Sequence, residues 1–196
     1  MRTEDFWAGE FGNTYHGRNR VQWEARLPFW QSAIDFATPA TVLEVGCGPG
    51  WNLLAIQAAD KSIELHGVDI NASAVEEARQ AGIEAQCSPA LGIAGLYEAG
   101  SMDLVFTAGV LIHVAPADLE ATMRQIVTVS ARYVLAVEYA ADVEEAVEYR
   151  GHTGKLWKRP FGVLYQAMGL TLLSEGSAGG FDVCNYWLLE KPGVAS

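Results

Sequence analysis

The sequence predicts an α/β domain with a mostly parallel sheet. Strand-like and helix-like stretches alternate from Thr41 to about Glu138. A glycine loop, Glu44-Val-Gly-Cys-Gly-Pro-Gly50, joins the first of these strands to the first helix, and an acid, Asp69, closes the second strand. Such alternation is the pattern of βαβ units, whose strands run parallel and whose helices cover the sheet.

The elements follow in order. The first forty residues are rich in aromatics and arginine, and Val21–Phe36 reads as a helix kinked at Pro28. Thr41–Val45, short, apolar and β-branched, is the first strand, and Trp51–Ala59 is its helix. Ile63–Ile70 is the second strand. Ala72–Ala81 is a helix with Asn71 as N-cap and Gly82 as stop. Ile83–Gln86 and Asp103–Thr107 are the third and fourth strands, and Pro116–Val129 is a helix with its proline suited to a first turn. Tyr133–Glu138 is the fifth strand. Glu144–Arg159 is charged and reads as a loop, and Phe161–Met168 as a helix. Leu170–Glu175 and Val183–Glu190 flank the glycine-rich turn Gly176–Gly180 and read as a closing hairpin. No repeat or linker interrupts this order. Residues 41–196 are expected to form one domain, with residues 1–40 as a helical cap or lid.

Bulk properties exclude several classes. A chain of 196 residues fits one domain, and its 50% apolar content is enough for a core. There is no apolar run of about 18 residues and no apolar signal core behind Met1, so a cytoplasmic protein without a membrane partner is expected. Cys47, Cys87 and Cys184 lie far apart, which argues against a disulfide framework or a metal site. A net charge of −11 disfavours nucleic acid as a partner, because the field repels phosphate backbones.

The glycine loop carries the chemistry. Glycines at 46, 48 and 50 allow a tight turn and the close approach of a ligand. Amides at the following helix N-terminus are placed to face negative groups. Asp69, 19 residues past Gly50, can accept hydrogen bonds from ribose hydroxyls. Loop and acid together fit an adenosine-containing cofactor. A dinucleotide site wants G-x-G-x-x-G, whereas the spacing here is G-x-G-x-G, with Glu44 two residues before the first glycine. Glu44 can reach the amino-acid end of S-adenosylmethionine (SAM), for which NAD has no counterpart. An NAD-binding reductase also usually needs a second domain, for which this chain is short.

Val42–Gly50, Gly67–Ile70 and Met102–His113 resemble the class I SAM-dependent methyltransferases. A narrower likeness spans most of the chain. Phe6-Trp-Ala-Gly-Glu-Phe-Gly12, Tyr15, Arg18-Asn19, Phe106–His113, Glu148–His152 and Tyr186–Lys191 are similar to the pseudaminic acid biosynthesis-associated methyltransferases. The resemblance implies a Rossmann-like three-layer sandwich with a mostly parallel seven-stranded sheet, the last strand antiparallel. It implies Glu44, Gly46, Gly48 and Asn52 along the methionine part of SAM, with Cys47 in the same loop. It puts Asp69 and Ile70 at the ribose and adenine, Ser88 and Pro89 near the adenine, and Thr107 and Gly109 under the sulfonium.

A sulfonium methyl is already activated, so the enzyme must hold a nucleophile in line and remove its proton if it has one. His113, just past the fourth strand, is a candidate base; the alternative is that it caps a helix or packs. Arg150, Lys155, Lys158 and Arg159 crowd into ten positions beside His152 and Trp157. The cluster suits an acidic acceptor, with Arg150 able to bind it bidentately, or else it is a solvated face paired with Glu144, Glu145 and Glu148. Tyr15 and Arg18 are candidates for the pocket, and Phe6 and Phe11 for packing. The expected reaction moves a methyl group from SAM, leaving S-adenosylhomocysteine (SAH), to oxygen or nitrogen of a small anionic metabolite. The acceptor classes are an acidic sugar, its nucleotide conjugate, or a carboxylic or phosphonic acid. His113, Arg150 and Tyr15 are the catalytic candidates, in a monomer or homodimer. The rival readings are an NAD-binding reductase and a non-catalytic SAM-binding protein.

Overall fold

The computed structural model describes residues 2–193. Three helices open the chain: α1 (Thr3–Ala8), α2 (Glu10–Arg18) and α3 (Leu27–Ala37). The alternating region gives β1 (Thr41–Val45), α4 (Trp51–Ala59), β2 (Glu64–Asp69), α5 (Ala72–Gln80), β3 (Glu84–Cys87), β4 (Met102–Ala108), α6 (Pro116–Val129) and β5 (Ser130–Glu138). Then come β6 (Glu145–Tyr149), β7 (His152–Lys158), α7 (Phe161–Ala167), β8 (Thr171–Ser177) and β9 (Asn185–Glu190).

The main sheet has the order β3-β2-β1-β4-β5-β9-β8. β1 to β5 are mutually parallel, and β9 runs antiparallel between β5 and β8. This is the expected seven-stranded sheet. Both faces are covered, which is why its central strands read as continuous apolar runs instead of alternating ones. Val42, Leu104, Phe106 and Leu135 pack toward α3 and α4, around Trp30, Ile34 and Leu53. Leu43, Val105, Val134 and Ala136 face α6 and α7, around Met123, Ile126, Phe161 and Tyr165. Each fully buried side chain of this size contributes about 1.5–3 kcal/mol.

Three expectations change. Val21–Phe36 is not one kinked helix. A 3-10 turn, Trp23–Arg26, precedes α3, and Pro28 lies in the first turn of α3, where its missing N–H costs no hydrogen bond. α3 packs Trp30 and Ile34 into the core, so it belongs to the sandwich and only α1 and α2 stand over the sheet end. Glu144–Arg159 is not a loop but a hairpin. Its turn, Arg150-Gly151, has φ of 50° and 79°, the left-handed pair that suits a two-residue hairpin connection.

α1 and α2 are too short to be stable alone and depend on docking. Asn71 provides the anchor. Its Oδ1 accepts from the Ala74 amide and caps α5. Its Nδ2 donates to the Trp7 carbonyl at 3.1 Å and to Asn13 Oδ1 at 2.8 Å. Gly12 makes the fit possible, since a Cβ there would strike the Trp7 carbonyl. Asn71→Ala is expected to lower stability by about 1–2 kcal/mol, the scale of a lost cap. It should also raise amide exchange over Thr3–Arg18 above that of β1 and β4. Unchanged exchange in α1 and α2 would refute the anchoring role.

Candidate active site

One cavity of about 490 Å³ opens at the carboxyl ends of β1, β2 and β4. The strand order turns between β1 and β4, so their outgoing connections diverge and leave a crevice there. Tyr15, Glu44, Gly46, Cys47, Gly48, Asn52, Asp69, Ile70, Ser88, Pro89, Gly109, His113 and Lys155 all line it. Thr107 is buried beneath it. Arg18, Arg150, His152 and Lys158 are not among its lining residues.

The glycine loop works by shape. Gly46, Gly48 and Gly50 have φ of 78°, 52° and 83°, and a Cβ at Gly46 would collide with Val110. The amides of Gly46 and Cys47 donate to the Val68 carbonyl, that of Gly48 to Asp69 Oδ2, and that of Gly50 to the Cys47 carbonyl. These four loop amides are therefore engaged internally; the amides at the N-terminus of α4 are a separate set. A ligand can lie close against the loop, but no phosphate cradle is present there. Burial pushes the Cys47 thiol well up, so it is a small neutral neighbour of the loop.

A polar chain runs under the glycine loop. Asn52 Nδ2 donates to Glu44 Oε1 at 2.6 Å, and Arg26 Nη1 donates to Asn52 Oδ1 at 2.7 Å. Glu44 Oε2 is buried with no hydrogen-bond partner. Burial pushes the Glu44 carboxyl up to about 8, against the pull of Asn52 and Arg26. An ammonium group entering the cavity would meet Glu44, and a carboxylate would meet Arg26. Arg26 has no sequence signal; it is one arginine among several, and only the seating of the 3-10 turn against α4 brings it here. His16 was also missed. Its ring packs against Gly48 and Trp51. Burial lowers its pKa, while Asp69 and Glu77 pull it upward.

At the other end of the cavity, His113 Nδ1 lies 2.7 Å from the Lys155 carbonyl. A carbonyl only accepts, so Nδ1 carries the proton and Nε2 is the acceptor nitrogen. Burial lowers the His113 pKa to about 4, which keeps the ring neutral. Trp7 packs against it, tilted, at 4.4 Å between centroids, and Tyr149 flanks it at 5.1 Å. Two buried charged residues fix its backbone segment. Glu138, wholly buried at the end of β5, accepts the amides of Val110, Leu111 and Ile112 at 3.0–3.4 Å. Buried Arg159 donates to the Leu111 carbonyl and to Glu144. Neither role was expected.

The basic cluster is therefore divided by the hairpin. Arg159 is a buried tie. Arg150, at the hairpin tip, donates to Asn19 Oδ1, and Asn19 in turn lines the cavity. Lys158 pairs in register with Glu145 in the ladder. Only Lys155 reaches the cavity, with its ammonium 5.2 Å from the Phe6 ring. His152 packs edge-on against Phe6 and Phe11, and Arg18 lies over Phe11. Tyr15 meets Trp7 edge to face, and burial pushes its phenol up to about 12.

Glu44 links stability to pH. Its carboxyl titrates near 4.5 when unfolded and near 8 when folded. Between those values the folded state alone keeps the proton, so stability falls as pH rises. Glu138, raised to about 7 by burial, adds a second slope of the same sign. Glu44→Gln removes the first slope. In urea denaturation the variant should gain on the wild type between pH 5 and pH 8; a difference constant with pH would refute the assignment.

Residues 42–132 match the family model described as "Methyltransferase domain". No curated protein sequence matches the chain. Among solved structures, the fold is similar to Burkholderia thailandensis 1,6-didemethyltoxoflavin-N1-methyltransferase, crystallised with 1,6-didemethyltoxoflavin and SAH. The TM-score is 0.74 at 15% identity, covering 94% of this chain and 86% of that one. It is also similar to magnesium protoporphyrin IX methyltransferase from Synechocystis PCC 6803 with bound SAM, with a TM-score of 0.70 at 14% identity and 98% of each chain covered. Human N-acetylserotonin methyltransferase aligns at 0.65 and 16% identity, over 87% of this chain and 53% of that one. These likenesses and the family match replace the NAD-binding reductase reading. The chain thus carries a methyltransferase domain, over residues 42–132, within the class I SAM-dependent methyltransferase fold.

Proposed function

We propose that the protein transfers the methyl group of SAM to an oxygen or nitrogen of a small, acid-bearing acceptor held at the His113 end of the cavity. The carrying observation is that one cavity of about 490 Å³ joins the glycine loop and Asp69 to His113, Lys155 and Trp157. That volume is in the range of small-ligand sites. The residues at the loop end fit SAM. Glu44 Oε2, buried without a partner, suits the α-ammonium, and Arg26 suits the α-carboxylate. Asp69 suits the ribose, and Ile70, Ser88 and Pro89 suit the adenine.

SAM supplies a carbon already activated by its sulfonium: the new bond to the acceptor forms as the C–S bond breaks, and its electron pair stays on sulfur as SAH. The protein's part is positioning and the exclusion of water. Trp7 and Tyr15 wall the cavity from the side of α1 and α2. Neutral His113 offers Nε2 to the acceptor O–H or N–H, which orients its lone pair and receives the proton. A carboxylate or phosphonate acceptor is already an anion and needs only the orientation. Lys155 takes the acid-anchoring role expected of Arg150, and Arg150 acts on the cavity through Asn19. The likeness to pseudaminic acid-associated enzymes supports an acidic sugar or its nucleotide conjugate as the first acceptors to try.

The test incubates the protein with methyl-labelled SAM and acidic sugars, nucleotide sugars, carboxylic acids and phosphonic acids, beside neutral analogues, with products read by mass spectrometry. Label is expected in the acids. Lys155→Ala should raise KM for the acceptor at least about tenfold with a smaller change in kcat, the signature of lost ground-state binding. Label confined to neutral acceptors would remove the acid-anchoring assignment and keep the methyl transfer. SAM binding without turnover on any acceptor would favour a binding protein.

A further inference from the structure

We infer that His16, on α2, is a specificity-determining residue that bonds the ribose hydroxyls of SAM opposite Asp69. The inference rests on the SAM assignment above and adds a ligand from outside the methyltransferase domain. α2 does not merely flank the sheet. Asn71, next but one to Asp69, ties both α1 and α2 across the end of β2. That docking puts the His16 ring on the glycine loop, where a Cβ at Gly48 would come within 2.9 Å of His16 Cε1. The Gly48 amide is itself bonded to Asp69 Oδ2 at 2.8 Å. His16 and Asp69 thus stand on either side of one glycine, and both line the cavity.

The ring's two nitrogens differ. Nδ1 is covered and has no hydrogen-bond partner, while Nε2 is not enclosed in this way. Nε2 is therefore the nitrogen that a cavity ligand can reach. Asp69 only accepts hydrogen bonds, and Oδ1 and Oδ2 already receive the amides of Asn71 and Gly48. A vicinal diol presents two donors, and also lone pairs that need a donor, which a carboxylate cannot supply. A neutral imidazole on the opposite wall can accept from one hydroxyl or donate to it, which Asp69 cannot do. Trp51, packed against the same ring, limits its movement.

The experiment is calorimetric titration of SAH, 2′-deoxy-SAH and 3′-deoxy-SAH into wild-type protein, His16→Ala and His16→Phe. Phenylalanine fills the ring's place without a nitrogen, and hydrogen exchange over Glu10–Arg18 verifies that α2 stays docked. The wild type should bind one deoxy form roughly five- to tenfold more weakly than SAH, the scale of one hydrogen bond. Both variants should lose a similar factor for SAH and bind SAH and that deoxy form about equally. Variants that weaken all three ligands alike, or that keep the full wild-type discrimination, would overturn the assignment and leave His16 as packing. Wild-type protein that binds no SAH would overturn the SAM assignment itself, and this inference with it.

Discussion

The site depends on the reversal of strand order between β1 and β4. β1 is buried on both faces and pairs in parallel with β2 on one side and β4 on the other. Parallel strands deliver all their connections at one end, and at a reversal those connections part. The loop after β1 carries Gly46–Gly50, the end of β2 carries Asp69, and the segment after β4 carries Gly109 and His113. Their convergence is a property of the sheet, and the rest of the molecule equips it.

Much of that equipment is buried polar chemistry, which is costly unless it is satisfied. On the cofactor side, Arg26, Asn52 and Glu44 are linked in sequence, with one Glu44 oxygen left for a ligand. On the acceptor side, Glu138 gathers three amides and Arg159 holds the Leu111 carbonyl, so the backbone leading to His113 is held from β5 and from the hairpin together. The Lys155 carbonyl then sets the His113 tautomer. Burial keeps the ring neutral, and this hydrogen bond leaves Nε2 as its acceptor nitrogen.

The cap joins two distant parts of the chain. α1 and α2 supply Phe6, Trp7, Phe11 and Tyr15, and the β6–β7 hairpin supplies Tyr149 and His152. Ring contacts knit them together, with Phe6 stacked on Phe11 at 4.0 Å and Trp7 lying between Tyr15 and His113. Asn71 fastens this assembly to the sheet end. The His113 end of the cavity is thus walled jointly by the segment after β4, within residues 42–132, and by α1, α2 and the β6–β7 hairpin, which lie outside them.

By itself, the sequence determined the layered sheet and the cofactor end. β1, β4 and β5 announce themselves because burial on two faces demands apolar runs, and the glycine loop and Asp69 announce themselves because a backbone that a ligand must approach leaves little freedom of residue type. Only the tertiary structure decided the acceptor end. The cluster from Arg150 to Arg159 reads as one basic loop, but folding into a hairpin puts Arg150 at its turn against Asn19, Lys155 at the cavity and Arg159, just past the end of β7, in the core. Arg26, His16 and Glu138 carry no local signature, because what matters about each is the buried partner it meets, and that partner is 26 or more residues away. Local pattern records which face of an element is covered. Which charged side chain is brought to a cavity depends on long-range packing, and no spacing along the chain encodes that.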